Sequence, residues 1–215
     1  MTDTGIFYGT GAAEGVPSPF CDCPMCNYAR EHGGKDVRKR SCFRLGRNIM
    51  IDMGPDIFTQ ALQYGSMCDI EHVLITHTHD DHFDFTALGL MSMATHLRTT
   101  PVHFYFSEEG YRFIELLRDS EIAFGGTLRG MEKKGIYAFH KLKYFETYSI
   151  GEYEVTPIRG NHGGNMAKER SANYVLKAKD GTKMLYGMDT CLLYTSDAAD
   201  DMQCVDLGGR RIIKK

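Results

Sequence analysis

The segment Thr76–His82 constrains this chain more than any other feature. It reads Thr-His-Thr-His-Asp-Asp-His, so three imidazoles and two carboxylates lie within seven residues. The apolar run His72–Thr76 leads directly into it and predicts a buried strand. The cluster is therefore predicted to lie at the C-terminal end of a strand, where layered α/β proteins place their active sites.

The order of ligand types in this segment favours a metal site. Histidines separated by one residue can point their imidazoles to the same side, and a turn through Asp80 can bring Asp81 and His82 next to them. Imidazole and carboxylate together suit zinc, manganese or iron and are typical of catalytic sites. The alternative is a solvated loop, but nine histidines spread over the chain would rarely give this arrangement by chance.

The pattern of His77, His79, Asp81 and His82 resembles the HxHxDH signature of the metallo-β-lactamase superfamily. The resemblance implies an α/β fold, the αββα metallo-β-lactamase sandwich, built around a dinuclear metal site. It implies that His77 and His79 bind the first metal ion and that Asp81 and His82 bind the second. Hydrolysis by a metal-activated hydroxide is the reaction type that such a site implies.

Two later residues add to the ligand set that the resemblance implies. His162, in the loop 158–164, takes the place of the next histidine, and Asp189 takes that of the bridging carboxylate. We expect two divalent ions, zinc or manganese, with Asp81 and Asp189 as the catalytic carboxylates. An ordinary loop histidine and a turn aspartate stay open as alternatives for His162 and Asp189. Asp52 could orient a ligand histidine or serve as a structural cap.

Three cysteines, Cys21, Cys23 and Cys26, lie within six residues, too close for an ordinary disulfide framework. Three thiolates can surround one zinc ion and leave one tetrahedral position open, so a structural zinc is predicted there. Free, buried or oxidised thiols are the alternative. Cys42 and Cys68 are expected to be core residues.

Together with Gly9–Gly11 and the basic segment Arg38–Cys42, the cysteine cluster resembles the phosphoribosyl 1,2-cyclic phosphate phosphodiesterases, the PhnP proteins. The resemblance implies a small phosphoester as substrate. The PqqB proteins share the cysteine arrangement, so a non-catalytic, metal-binding accessory protein is a second hypothesis. A tRNA 3′-processing nuclease is a weaker one, because no RNA-binding arm is evident. The basic run Lys35–Arg40 is expected to be a solvated loop.

Composition narrows the remaining possibilities. A net charge of −3 and a pI near 6.3 give no general attraction to nucleic acid or to anionic membranes, so neither is expected as a partner. The sequence contains no apolar stretch long enough for a membrane span and no basic leader, which predicts a cytoplasmic protein. A chain of 215 residues can bury one substantial core and could form a homodimer.

Strand and helix signals follow one another along the chain. Helices are predicted from residue 57 to an end at Gly65, with Asp56 as N-cap, over 85–97 and over 107–118. Strands are predicted over 6–8, 42–45, 48–53, 72–76 and 102–106, twice within 139–157, and in a hairpin of 172–178 with 184–186.

The C-terminal part departs from the family pattern. That pattern requires another histidine for the second metal, and none follows His162. The stretch 192–201 resembles translated read-through of a sequencing adapter. The expected domain is therefore 1–190, and 191–215 is expected to be a non-native tail; a divergent native tail is the alternative. We therefore expect the second half of the sandwich to be incomplete and the chain as printed to be a poor enzyme.

Overall fold

A computed structural model describes residues 4–93, 100–121 and 123–189. The described residues form ten strands, five α-helices and a short 3₁₀ helix at Gly34–Asp36. The helices are α1 (Pro24–His32), α2 (Ile57–Tyr64), α3 (Phe85–Met93), α4 (Glu108–Asp119) and α5 (Ala123–Lys133). The strands are β1 (Gly5–Gly9), β2 (Cys42–Leu45), β3 (Ile49–Ile51), β4 (His72–Leu74), β5 (Val102–Ser107), β6 (Tyr137–Leu142), β7 (Tyr148–Ile150), β8 (Tyr153–Arg159), β9 (Ala172–Lys177) and β10 (Lys183–Tyr186).

The strands form two sheets. The first has six strands in the order β1-β2-β3-β4-β5-β6, with antiparallel pairing from β1 to β3 and parallel pairing from β3 to β6. The second has four strands in the order β7-β8-β9-β10 and is antiparallel throughout. Parallel strands need crossover connections, and α2, α3 and the α4–α5 pair lie in those connections.

Successive side chains of the six-stranded sheet enter two different cores. On β3, Met50 belongs to the core beneath the helices, whereas Ile49 and Ile51 belong to the core between the two sheets. Val73 and Leu74 of β4 divide in the same way, as the period of two along a strand requires. The described residues therefore form helix, sheet and sheet layers, which confirms the predicted α/β metallo-β-lactamase class.

The two sheets bring four chain segments to one edge of the sandwich. β3 and β4 are parallel neighbours, so Asp52 and Thr76 follow them at the same edge. β8 and β10 both run antiparallel to β9, so His162 and Asp189 also follow their strands in a common direction. The backbone N–H of Ala172 donates to the Thr76 carbonyl over 2.7 Å and joins the sheets there.

Most predicted elements are confirmed, with several corrections. Helices α1 and α5 were not predicted, and the region from 137 to 159 contains three strands where two were expected within 139–157. Asp56 precedes α2, but its side chain makes no capping hydrogen bond, because its carboxylate accepts from Arg40. Cys42 is buried as expected, whereas the expectation of a core position for Cys68 is wrong, because it is exposed.

Two expectations concern residues that the structure does not describe. The end of the predicted helix 85–97 and the whole of the proposed tail 191–215 lie outside the described residues. Among the residues that are described, every helix is too short or too polar to span a lipid bilayer.

Candidate metal centre

Three predicted ligand histidines converge at the sandwich edge. His77 Nε2 lies 3.1 Å from His79 Nδ1, and His162 Nε2 lies 3.3 Å from the same nitrogen. Ligand nitrogens at zinc–nitrogen distances of about 2.0–2.1 Å stand about 3.3 Å apart in a tetrahedral site. The three imidazoles therefore fit a single zinc-sized ion.

A second group shares His77 with the first. Asp189 Oδ2 lies 2.9 Å from His82 Nε2 and 3.6 Å from His77 Nε2, and Asp81 Oδ2 lies 3.2 Å from His82 Nε2. Asp189 thus stands between the two groups, where a carboxylate can contact ions in both. The structure brings all six predicted ligands of the histidine cluster into one small volume.

The environment sets the protonation of these side chains. Burial, followed by repulsion from His82, lowers the pKa of His77 to about 3, so its imidazole is neutral at physiological pH. The hydrogen bond with His82 outweighs burial and lowers the pKa of Asp189 to about 2, so this carboxylate is ionised. Neutral imidazoles and ionised carboxylates are the forms that bind metal ions.

Asp52 binds His82 on the side of the imidazole away from the candidate ion position. The left-handed backbone of Asp52 (φ 63°) follows β3, and its fully buried carboxylate accepts a hydrogen bond from His82 Nδ1 over 2.7 Å. The backbone N–H and hydroxyl of Thr76 donate to the same carboxylate over 2.8 Å and 2.9 Å. With Nδ1 donating to Asp52, Nε2 is the nitrogen of His82 that would release its proton to bind an ion, and it faces Asp189 and the candidate ion position.

Glu169 was missed by sequence reasoning. It is 1% exposed, and its carboxylate accepts from the backbone N–H and hydroxyl of Thr78 over 2.8 Å and 2.5 Å and from the N–H of Met166 over 3.2 Å. Thr78 lies between ligand residues His77 and His79, so Glu169 fixes the backbone that spaces them. A glutamate flanked by Lys168 and Arg170 gives no sequence signal for such a role.

A cavity of about 340 Å³ opens beside the ligands. Its wall includes His79 and Asp81 together with Arg40 from the basic segment. The remaining lining residues are Ala13, Pro55, Asp80 and Asn165. A bound small molecule would therefore lie next to both candidate ion positions.

The three cysteines also converge. The Sγ atoms of Cys21, Cys23 and Cys26 all lie within 4.8 Å of one another, and zinc–sulfur bonds of about 2.3 Å place thiolates about 3.8 Å apart. The backbone N–H of Cys26 points at Cys23 Sγ and, with Cys21, lowers the pKa of the Cys23 thiol to about 7. The cluster fits a zinc ion as predicted, and Cys23 is also the N-cap of α1.

Comparison with known proteins gives the family. The profile described as "Beta-lactamase superfamily domain" matches residues 47–207, more than half of the chain. The chain belongs to this superfamily, as its histidine pattern predicted.

Solved structures share the fold. A "new diphosphatase from the PhnP family" superposes with a TM-score of 0.62 at 23% identity, covering 82% of this chain and 63% of its own. Zinc-bound PqqB from Methylobacterium extorquens gives 0.62 at 16%, covering 84% and 63%. The short form of human tRNase Z gives 0.53 at 21%, covering 84% and 66%. The present chain spans less than two thirds of each of these proteins.

A short sequence match was also found among curated proteins. A protein named "Octanoyltransferase" from Porphyromonas gingivalis (strain ATCC BAA-308 / W83) is 36% identical over 81 residues. The match covers 36% of this chain and 16% of that protein, so it concerns a small part of both.

Proposed function

We propose that this protein is a metal-dependent hydrolase that cleaves a phosphodiester in a small molecule, such as phosphoribosyl 1,2-cyclic phosphate. The observation that carries the proposal is the position of Asp189, whose carboxylate lies 2.9 Å from His82 and 3.6 Å from His77. A carboxylate beside His77, the residue that both ligand groups share, is the arrangement expected for two adjacent ions. A PhnP-family diphosphatase among proteins of the same fold supports the choice of a phosphoester.

The ligand set suits zinc or manganese. When two such ions are bound, they supply a water of lowered pKa and positive charge opposite the charge that develops on the phosphate. Water would add to phosphorus as one P–O ester bond breaks, and the leaving oxygen takes up the proton that the water loses, so a cyclic diester opens to a monoester with a free hydroxyl. The ionised carboxylates of Asp81 and Asp189 can accept hydrogen bonds from the attacking water and so orient it.

The protein's own contribution is a rigid frame for these groups. Asp52 fixes the ring and tautomer of His82, and Glu169 fixes the backbone at Thr78 between His77 and His79. A cavity of about 340 Å³ beside the ligands falls at the lower end of the range of about 300–1,000 Å³ typical of small-molecule sites. These dimensions favour a small phosphoester over a folded RNA.

The test is hydrolysis of a cyclic phosphate and of bis(4-nitrophenyl) phosphate by the chain loaded with zinc or manganese. We expect slow turnover, because no histidine follows His162 to complete the second metal position. His79→Ala should abolish it, and His32→Ala, a change at an exposed histidine on α1, should leave it intact. Stoichiometric metal without turnover of either diester would favour the alternative, a metal-binding accessory protein with the fold of PqqB.

The remaining expectations extend this proposal. The cysteine cluster would hold one structural zinc, with no part in the chemical step. A cytoplasmic location and a homodimer are retained as proposals, and neither nucleic acid nor a membrane is proposed as a partner.

A further inference from the structure

Among the residues that the structure describes, Arg40 is the one arginine or lysine that lines the cavity beside the candidate metal ligands. Sequence analysis placed it in a solvated loop, but its side chain is only 27% exposed. The cavity wall also carries Asp80 and Asp81. An anionic ligand in this cavity would therefore meet the cationic side chain of Arg40.

The Arg40 side chain is held in place before any ligand binds. Its Nε donates to the carbonyl of Ala13 over 3.0 Å, and its Nη1 donates to Asp56 Oδ1 over 2.8 Å. The other carboxylate oxygen, Asp56 Oδ2, accepts from the backbone N–H of Arg40 over 2.8 Å. Asp56 thus binds both the backbone and the side chain of the same residue.

The backbone of the glycine-containing segment 9–13 packs closely against the backbone at Arg40. The end of β1 lies so close to the segment before β2 that a Cβ on Gly9 would stand 1.9 Å from the Arg40 carbonyl oxygen. The N–H of Gly11 donates to the carbonyl of Lys39 over 2.7 Å. The glycines therefore let the loop bring Ala13, which binds the guanidinium, next to Arg40.

The guanidinium retains hydrogen-bonding capacity. Of its five N–H donors, only those on Nε and Nη1 have partners in the part of the chain that the structure describes. Nη2 has none among those residues. The two N–H groups of Nη2 and the second N–H of Nη1 can donate to an oxyanion, and phosphate and carboxylate both offer oxygens of this kind.

We propose that Arg40 forms a subsite that binds the non-bridging oxygens of a phosphate group. This inference rests on the proposed phosphodiesterase function and names the part of the substrate that the protein recognises. A phosphodiester carries one negative charge shared by two such oxygens, so the unused N–H groups of Arg40 can bind it while the ester bond lies toward His79 and Asp81.

The test measures binding of inorganic phosphate to the full zinc-loaded chain by isothermal titration calorimetry. Arg40→Met should weaken phosphate binding about tenfold or more, because a charge-assisted hydrogen bond is lost. Arg40→Lys should recover part of the loss. Lys39→Met is the matched control: it removes the same charge one residue away, from a side chain that lines a different cavity, and should leave the affinity unchanged.

Several outcomes would overturn the subsite. They are equal phosphate affinity in Arg40→Met and the parent chain, no phosphate binding by the parent, or acetate binding as tightly as phosphate. If Arg40→Met fails to fold, the Arg40→Met/Asp56→Asn double variant also removes the Asp56 carboxylate that has lost its guanidinium partner. The same titration is then made with the double variant. If that chain also fails to fold, Arg40→Lys decides, and affinity equal to that of the parent would contradict recognition by the guanidinium fork.

Hydrolysis in the same samples separates this inference from the proposed function. Turnover of bis(4-nitrophenyl) phosphate with unchanged KM and kcat in Arg40→Met would refute the subsite alone. Phosphate binding that depends on Arg40 without turnover in the parent chain would refute the phosphodiesterase alone.

Discussion

Replacing Asp52 by asparagine should change which nitrogen of His82 carries the proton. Both carboxylate oxygens of Asp52 accept hydrogen bonds, one from the backbone N–H of Thr76 over 2.8 Å and the other from His82 Nδ1 over 2.7 Å. An asparagine has only one acceptor oxygen, and the backbone N–H cannot become an acceptor. The amide NH₂ must therefore face His82 Nδ1, which favours the tautomer with its proton on Nε2.

That tautomer blocks metal binding, because Nε2 is the atom that lies 2.9 Å from Asp189 and faces the candidate ion position. Loss of a hydrogen-bonded partner behind a metal ligand typically costs about 10–100-fold in metal affinity or activity. Asp52 is fully buried, so water cannot replace the lost acceptor. We expect the upper part of this range, about 100-fold, for the ion held by His82.

The assay is a competitive titration of zinc against a chromophoric chelator, with total zinc measured by inductively coupled plasma mass spectrometry. Asp69→Asn is the matched control, since Asp69 is paired with Arg44 at 2.7 Å and precedes β4, away from the metal edge. Asp69→Asn should leave both histidine-site affinities unchanged. An Asp52→Asn chain that binds its second ion within twofold of the parent would refute the tautomer argument.

Three further substitutions test separate parts of the site. His79→Ala should lower metal content and phosphodiesterase activity together, and retention of both in parallel metal and rate measurements would exclude His79 as a ligand. Cys23→Ser should remove one zinc ion and lower the melting temperature by several degrees, because structural zinc binding is coupled to folding. The rate of the chemical step should not change. Unchanged zinc content and stability would contradict the structural zinc. Glu169→Gln should lower the free energy of unfolding by about 1–3 kcal/mol in a denaturant titration, since an amide NH₂ would oppose donors such as the Thr78 N–H. A decrease of less than about 0.5 kcal/mol would show that Glu169 does not fix this backbone.

The histidine cluster could be predicted because its ligands are local in sequence. His77–His82 contains four of the six candidate ligands, and the apolar strand before it fixes which edge of the sheet they occupy. His162 and Asp189 are distant in sequence and were identified by resemblance to the superfamily. For Asp52 the sequence left two roles open, and only the contact with His82 distinguishes them.

Glu169 and Arg40 could not be identified in the same way. Glu169 contacts Thr78 across 91 residues, and both residues lie in charged stretches that are typical of a solvated surface. Their roles depend on how the loops fold back onto the sheet edge. A single sequence contains no direct signal of that long-range packing.

Helix α5 was missed because its sequence is a poor local helix former. It contains Gly125, Gly126 and Gly130, each of which costs about 1 kcal/mol relative to alanine in a helix interior. Packing against α4 and β6 offsets this cost, and Leu128 is fully buried there. Tertiary contacts, which local propensity does not contain, therefore decide this element.

The central claim is that the described residues hold two adjacent metal ions. Anomalous diffraction at the zinc edge, from crystals of the full chain grown with zinc, tests it directly. Two peaks about 3.5–4 Å apart are expected, one among His77, His79 and His162 and the other beside His82, with Asp189 between them. A single peak in this cluster, or none, would contradict the dinuclear site.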